Sequence, residues 1–355
     1  MPEKLDPSVL YIFVCGPGQG ESTVIHVPPG EWIVVDSCRS SKKVFAAAIL
    51  QKYGGTKACL VLTHRHQDHY RGLSALAEMS DWRTLGCNDR TLVDPNATED
   101  GEKKIANELG QIFSLIRRRW QSDPSSEWKT WRRTKQFIGE GELLSLHPDE
   151  THAKAFEIKS SDDENVLSSA MVLRWNGNLF LLGADTPTPF WQEISGCFAA
   201  EFDLAEHLIA KIPHHGSLTS LDPAILNDGR EQLWVVTPYN SSRLPKYDPG
   251  QGLEFLVNGN SEVHLTGLPV AQLKQPTSPC RTTLPQLRVN ASPVPILMTI
   301  PGRVGVDVTP TKSELQNFYA IAVDATGIPN IFHSADGTVV VQKPVSSRGP
   351  VGVKT

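Results

Sequence analysis

Residues 63 to 73 read Thr63-His64-Arg65-His66-Gln67-Asp68-His69-Tyr70-Arg71-Gly72-Leu73. Four potential metal ligands, His64, His66, Asp68 and His69, fall within six residues of one another. Imidazole and carboxylate are the usual donors to zinc, manganese or iron(II). In an extended or looping backbone, side chains at i and i+2 share a side. His64 and His66 can therefore grip one ion while Asp68 and His69 turn toward a second. No single helix face gathers positions 64, 66, 68 and 69, but a loop after a strand does. The apolar run Ala58-Cys59-Leu60-Val61-Leu62 is a good buried strand leading into that loop.

Two further apolar runs end in ligand-type residues. Leu179 to Ala184 leads to the lone carboxylate of Asp185, and Ile209 to Pro213 leads to His214, His215, Gly216 and Ser217. The order His-x-His-x-Asp-His, then Gly-Ala-Asp, then His-His-Gly-Ser resembles the metallo-β-lactamase fold superfamily. Near the N-terminus, Gly16-Pro17-Gly18-Gln19-Gly20-Glu21-Ser22 and Trp32-Ile33-Val34-Val35-Asp36-Ser37 resemble the "DVGQGDS … DxG" opening of one branch. That branch is the hydrolase domain of ComEC, the bacterial DNA-uptake channel protein, with its free-standing soluble relatives. Lys211 to Ser217 is similar to the branch's "K-x-x-HHGS", and Trp234 to Asn240 to its next strand. The resemblance covers residues 8 to 268. Gly16 and Glu21 depart from it, both standing where the branch carries Asp, and Ala184 widens the usual Gly-Asp.

The resemblance implies an α/β fold, an αββα sandwich with two sheets face to face and helices outside. It implies two divalent metal ions, zinc or manganese, with Asp185 bridging them. His64 and His66 then serve one ion and Asp68 and His69 the other, completed by His215. Asp68 and His214 are the candidate catalytic groups, His214 as a proton donor, and the reverse assignment of the two adjacent histidines stays open. Asp36 and Ser217 are expected to orient ligands rather than bind metal. Many superfamily members carry a further histidine before the Asp. His147 and His152 are the histidines of that interval, and both read as loop residues.

Residues 89–140 read as a helical, basic insertion within a hydrolase domain spanning 1–268. Ile105, Leu109, Ile112, Phe113, Ile116 and Trp120 have helical spacing. Positions 117–135 hold seven Lys or Arg and two acids, a local net of +5 in a chain of net charge −5. Arg117, Arg118, Arg119, Trp128, Trp131, Arg132, Arg133 and Lys135 interleave cations with aromatic rings. Such a pattern suits a polyphosphate strand, with cations on the backbone and rings under the bases. It equally suits a solvated helix face with the tryptophans in the core, or a surface for an acidic protein partner. Residues 269–290, rich in Pro, Thr and Ser, read as a linker, 291–343 as a small β-rich appendage and 344–355 as a tail.

Composition narrows the classes. With 39% hydrophobic and 21% charged residues the chain is an ordinary globular protein. No apolar run approaches the ~18 residues of a membrane span, and Met1 to Asp6 lacks a signal-peptide pattern. The six cysteines are scattered without paired spacing, which fits a reducing compartment and a cytoplasmic location. The functional expectation is a binuclear phosphodiesterase acting on DNA or RNA. A phosphodiesterase for a cyclic nucleotide or phosphocholine ester, and a metal-stabilised docking module, are the alternatives.

Overall fold

The structure, a computed structural model, describes residues 3–16, 18–40, 43–79, 81–88, 102–155, 164–226, 232–246, 250–259, 262–267, 286–289, 296–299, 318–323, 329–334 and 339–342. Two mixed sheets form its frame. The first has eight strands in the order Pro329–Ser334, Phe318–Val323, Leu10–Cys15, Ser22–Val27, Glu31–Val35, Thr56–Leu62, Thr84–Cys87 and Glu127–Lys129. The second has ten, in the order Ile296–Thr299, Gln286–Val289, Val339–Gln342, Glu262–Leu265, Leu233–Val236, Ile209–Lys211, Asn178–Leu182, Met171–Trp175, Gly141–Ser145 and Lys135–Ile138.

Strand periodicity divides the apolar side chains into three cores. Leu10, Ile12 and Val14 of the first strand face a cluster shared with Leu143, Met171, Leu173, Phe180 and Val235 of the other sheet. This is the layer between the sheets. Tyr11, Phe13 and Cys15, the alternate set, face outward onto Phe45, Ile49, Leu73, Leu76, Leu109, Ile112, Phe113 and Ile116. Those residues come from helices Phe45–Tyr53, Leu73–Ala77 and Glu102–Ser122. On the far face of the second sheet, Trp191, Ile194 and Phe198 of helix Thr188–Phe198 pack with Leu253, Leu256 and Val257 of helix Gly252–Gly259. The result is helix, sheet, sheet, helix: an αββα sandwich, as the sequence leads one to expect. Because both faces of the central strands are covered, strands such as Leu10–Cys15 and Leu233–Val236 read as near-continuous apolar runs rather than alternating with polar residues.

The parallel pairings decide where the chemistry lies. Glu31–Val35 runs parallel to Thr56–Leu62, and Phe180, Ile209 and Leu233 stand in register across three parallel strands of the second sheet. Parallel strands deliver their C-terminal ends to one edge. Asp36, the loop from Thr63, Asp185, the His214–His215 pair and Thr237 all follow such ends.

The stretch expected as an insertion over 89–140 takes part in both sheets. Residues 89–101 lie outside the described residues. Helix Glu102–Ser122 covers the first sheet through Leu109, Ile112, Phe113 and Ile116, in the i, i+3, i+4, i+7 pattern legible in the sequence. Glu127–Lys129 then pairs with Thr84–Cys87 in one sheet, and Lys135–Ile138 with Gly141–Ser145 in the other. The region read as a β appendage likewise reaches both sheets. Phe318–Val323 pairs with Leu10–Cys15, and Val339–Gln342 with Glu262–Leu265. Most of the linker read over 269–290 lies outside the described residues, but its last residues, Gln286–Val289, form a strand. The tail 344–355 lies outside them entirely.

Because Phe113 is only 2% exposed within the outer core of the first sheet, Phe113→Ala should lower unfolding stability by about 3–5 kcal/mol. Denaturant titration measures this; an unchanged midpoint would make the helix a detachable element.

Candidate metal centre

Asp36 organises the first half of the site. It sits directly after strand Glu31–Val35 with φ 58°, an uncommon conformation for a residue with a Cβ. Its Oδ1 accepts from the Thr63 amide at 2.8 Å and its Oδ2 from the Thr63 hydroxyl at 2.7 Å. The same Oδ2 lies 2.7 Å from His69 Nδ1. One carboxylate thus fixes both ends of the ligand loop and turns His69 so that Nε2 points away from it. On the neighbouring imidazole, His64 Nδ1 lies 3.1 Å from the Thr63 hydroxyl and 3.3 Å from Ser168 Oγ. Its Nε2 is left 3.0 Å from His66 Nδ1. The outer nitrogen of His66 meets Glu164 Oε2 at 3.5 Å, and Glu164 Oε1 is held by Arg65 at 2.8 Å.

The second half comes from the other sheet. Ala184, His214 and His215 have φ of 44°, 45° and 53°. Such conformations cost about 1–3 kcal/mol each and cluster at functional sites. The His214 amide donates to Ala184 O at 2.7 Å, which locks the two loops together. Asp185 is 2% exposed. Its Oδ1 lies 3.3 Å from His69 Nε2, and its Oδ2 3.8 Å from His64 Nε2 and 3.7 Å from His214 Nε2. His215 places Nδ1 2.7 Å from Thr237 O and Nε2 3.0 Å from Asp68 Oδ2. His214 is less covered, its side chain 23% exposed, and its Nδ1 lies 3.2 Å from Ser220 Oγ.

These atoms fit a metal. Ligand atoms of His64, His66 and Asp185 lie within 4.8 Å of one another, as do those of Glu21, His69 and His215. In the second group Glu21 approaches Nδ1 of both imidazoles, at 3.7 Å for His69 and 3.3 Å for His215. It therefore stands behind them, while their Nε2 atoms face Asp185 and Asp68. A tetrahedral ion with bonds of ~2.1 Å spaces its donors ~3.4 Å apart. The Nε2–carboxylate separations of His69, His64 and His214 from Asp185 and of His215 from Asp68 run from 3.0 to 3.8 Å. His69 Nε2 and Asp185 Oδ1 are both buried and make no hydrogen bond, as expected of groups shaped to hold a cation.

The charges divide the histidines. Burial disfavours a proton on His69, but the carboxylates of Asp185, Asp36 and Glu21 outweigh it and hold the imidazole well above its ordinary pKa. Burial, reinforced by His69 and His66, pushes His64 well below. Asp185 would be raised by burial, yet His69 and His214 hold it well below the usual carboxylate range.

All six expected metal residues, with His214, are thus brought to one edge. Two expectations need correction. The Ser217 hydroxyl lies 3.0 Å from Thr219 Oγ1 rather than on a ligand ring; Ser217 meets His214 only through its amide, which donates to His214 O at 2.8 Å, and the hydroxyl beside the His214 ring is that of Ser220. The basic, tryptophan-bearing residues do not form one free face either. Trp128 is buried between the sheets, and Lys129 sits over the Trp131 ring. Arg132 pairs with Glu193 at 2.8 Å, Arg133 with Glu201, and Lys135 with Glu142 at 3.4 Å. Arg119 donates to Trp82 O at 3.0 Å, while Arg117 and Arg118 are exposed. His147 is buried elsewhere, with Nε2 2.6 Å from Val166 O and its ring against Phe190.

Sequence reasoning missed Glu164, Ser168 and Thr237, and saw Glu21 only as a departure from a motif. Nothing in their spacing marks them, because each acts across a sheet or a loop. Glu21 alone carried a signal, as an acid inside a glycine-rich turn.

No known protein-family profile matches the sequence, and no curated protein does. Solved structures give loose likenesses. A mutant of the CmlA β-hydroxylase aligns at 13% identity and TM-score 0.37 over 73% of this chain and 46% of its own. CmlA from Streptomyces venezuelae, a diiron β-hydroxylase, aligns over only 35% of its length, so the chain spans less than half of either protein. The metallo-β-lactamase fold protein YhfI of Bacillus subtilis aligns at 11% identity, TM-score 0.29, covering 52% of this chain and 67% of that one. Igni18, a metallo hydrolase of Ignicoccus hospitalis, aligns at 13% and 0.36, covering 65% and 84%. On this chain's own geometry, the sandwich carries an edge of buried histidines and carboxylates of the metal-ligand type.

Metal ligation requires neutral imidazole. Since its carboxylates hold the His69 imidazole well above its ordinary pKa, metal binding below that raised pKa should release a proton. Affinity should then rise with pH until the raised His69 pKa is passed. Calorimetry in two buffers of different ionisation enthalpy measures the release; identical heats would exclude it.

Proposed function

We propose that the chain is a binuclear metal-dependent hydrolase of phosphodiesters, with nucleic acid as the leading substrate class. The observation that carries the reading is the convergence of His64, His66, Asp68, His69, His214 and His215 around the buried carboxylate of Asp185. Two divalent ions held by these donors would polarise a phosphoryl oxygen and make water nucleophilic at neutral pH. His64 and His66 would hold one, Asp68, His69 and His215 the other, with Asp185 between them. Zinc, manganese and iron all suit the donors.

The chain's own residues supply the rest. Asp36 and Thr237 O fix the imidazoles through their outer nitrogens, so that no side chain must reorganise on binding. His214 is, with His66, one of the two partly exposed imidazoles of the cluster, and it is steadied by Ser220. It is placed to give a proton to a departing alkoxide oxygen, as the sequence suggested. The phosphodiester assignment is supported by the resemblance to the ComEC hydrolase branch. Exposed Arg117 and Arg118 are available to a phosphate backbone, with Lys129 and Trp131 nearby in sequence.

One observation favours a second reading. Arg132, Arg133 and Lys135 are engaged by Glu193, Glu201 and Glu142. A strand-binding surface built on them would first have to break those pairs. A small phosphodiester, such as a cyclic nucleotide or a phosphocholine ester, needs no such surface. Among the described residues no helix is long and apolar enough to cross a membrane. A cytoplasmic site of action and a protein partner docked on the basic segment or the C-terminal strands remain proposals of the same kind.

The test is incubation with single- and double-stranded DNA, RNA and bis-p-nitrophenyl phosphate, with Mn or Zn, beside Asp185→Ala. Loss of an interaction made in the transition state by a buried ligand should lower the rate at least 100-fold. Nucleic-acid cleavage that vanishes in the variant supports the nuclease; cleavage of the small ester alone supports the second reading. Cleavage of nothing by metal-loaded protein would shift the weight to a docking module. Neutralising Arg117 and Arg118 should weaken binding of a strand and flatten its salt dependence, yet leave small-ester hydrolysis unchanged.

A further inference from the structure

We propose that Glu21 and Lys211 form a buried clamp between the two sheets that sets the affinity of one metal position, that of His69 and His215. The inference rests on the metal reading above.

Glu21 is 4% exposed and Lys211 4% exposed, and their side chains form an ion pair. Lys211 is the last residue of strand Ile209–Lys211 in the second sheet. Glu21 precedes strand Ser22–Val27 of the first sheet, and its amide donates to Asp68 O at 2.9 Å. Gly20, at φ 151°, brings this turn so close that an added Cβ would stand 2.5 Å from the same Asp68 O. The turn is therefore pressed onto the backbone of the ligand loop, and only glycine permits it.

Each oxygen of Glu21 has one tether in the second sheet and one histidine in front of it. Oε1 pairs with Lys211 Nζ and lies 3.7 Å from His69 Nδ1. Oε2 accepts from the Thr237 hydroxyl and lies 3.3 Å from His215 Nδ1. His69 hangs from the first sheet and His215 from the second. Nothing along the chain fixes the distance between two residues 146 positions apart (69 to 215). A carboxylate anchored to the second sheet while touching both rings does so in space. His64 and His66 have their own partners, Thr63, Ser168 and Glu164, so the clamp acts on one position and not the other. A buried lysine is costly unless paired, and among the described residues Glu21 is the acid that pairs it. Lys211 is a positioning residue, since it reaches the metal donors only through Glu21.

The experiment titrates Zn(II) and Co(II) into the full chain against a chromophoric chelator, and follows the Co(II) absorption bands. Wild type should bind two ions. Lys211→Met should weaken one of them about 10- to 100-fold, the usual effect of losing an orienting group, and change that ion's absorption bands. The other ion should bind as before. Lys211→Met also leaves a buried carboxylate unpaired, which lowers the thermal midpoint. The double variant Glu21→Gln with Lys211→Met leaves no charge unpaired. Its midpoint should return toward wild type while the weakened ion stays weak, because the carboxylate behind the two imidazoles is gone. Thr237→Val, a milder change on Oε2, should show the same selectivity with a smaller loss. Affinity that recovers together with stability, or equal loss at both positions, overturns the clamp while leaving the metal reading intact. Wild-type protein that binds no divalent ion overturns both.

Discussion

Asp185 is a carboxylate buried to 2% exposure at the meeting point of two sheets. An ionised group so placed is tolerated only when opposite charge or a metal compensates it. Here His69 and His64 from one loop and His214 from another turn nitrogens toward its two oxygens. The arrangement explains why the edge is polar while the three cores around it are apolar. It also explains why the histidines behave differently. His69, ringed by Asp185, Asp36 and Glu21, is held well above its ordinary pKa, whereas burial, with two other imidazoles beside it, pushes His64 well below.

Around that centre the backbone is bent into conformations that ordinary residues avoid. Asp36, Ala184, His214 and His215 all have φ between 44° and 58°. Each is the first or second turn after a strand, where the chain must leave the sheet and present a side chain at its rim. Strain of this kind persists only where surroundings over-determine it. They do so here through the Asp36 bonds to Thr63, the His214 amide on Ala184 O and the His215 contact with Thr237 O. The frame supplies rigidity and the loops supply donors, a division of labour that suits a site meant to be in place before its ligand arrives.

Behind the donors lies a layer of acids and hydroxyls. Asp36 serves His69, Glu164 serves His66, Ser168 serves both His64 and the Asp185 amide, and Glu21 stands behind His69 and His215. These groups choose which ring nitrogen faces inward, and with it the geometry any bound ion would meet. Glu21 and Asp36 precede the histidines they serve, Glu164 follows His66, and Ser168 lies between His64 and Asp185, the two residues it touches. The site is assembled from the whole first 240 residues rather than from its motifs alone.

The elements and the candidate donors were legible along the chain. Apolar runs of strand length, each ending in histidine or aspartate, named His64, His66, Asp68, His69, Asp185, His214 and His215, because periodicity and ligand chemistry are local properties. Helical spacing alone marked Leu109 to Ile116. Folding settled everything that depends on distance between residues remote in sequence. It gave Arg132, Arg133 and Lys135 acidic partners on other elements, buried Trp128 between the sheets, and put the hydroxyl of Ser220 rather than that of Ser217 on the His214 ring. It wove the stretch after Glu127 and the C-terminal strands into both sheets, since pairing partners are chosen by edge availability and not by composition. And it set Glu21 against Lys211, 190 positions away, a contact that no spacing rule encodes because the fold, not the chain, brings the two charges together.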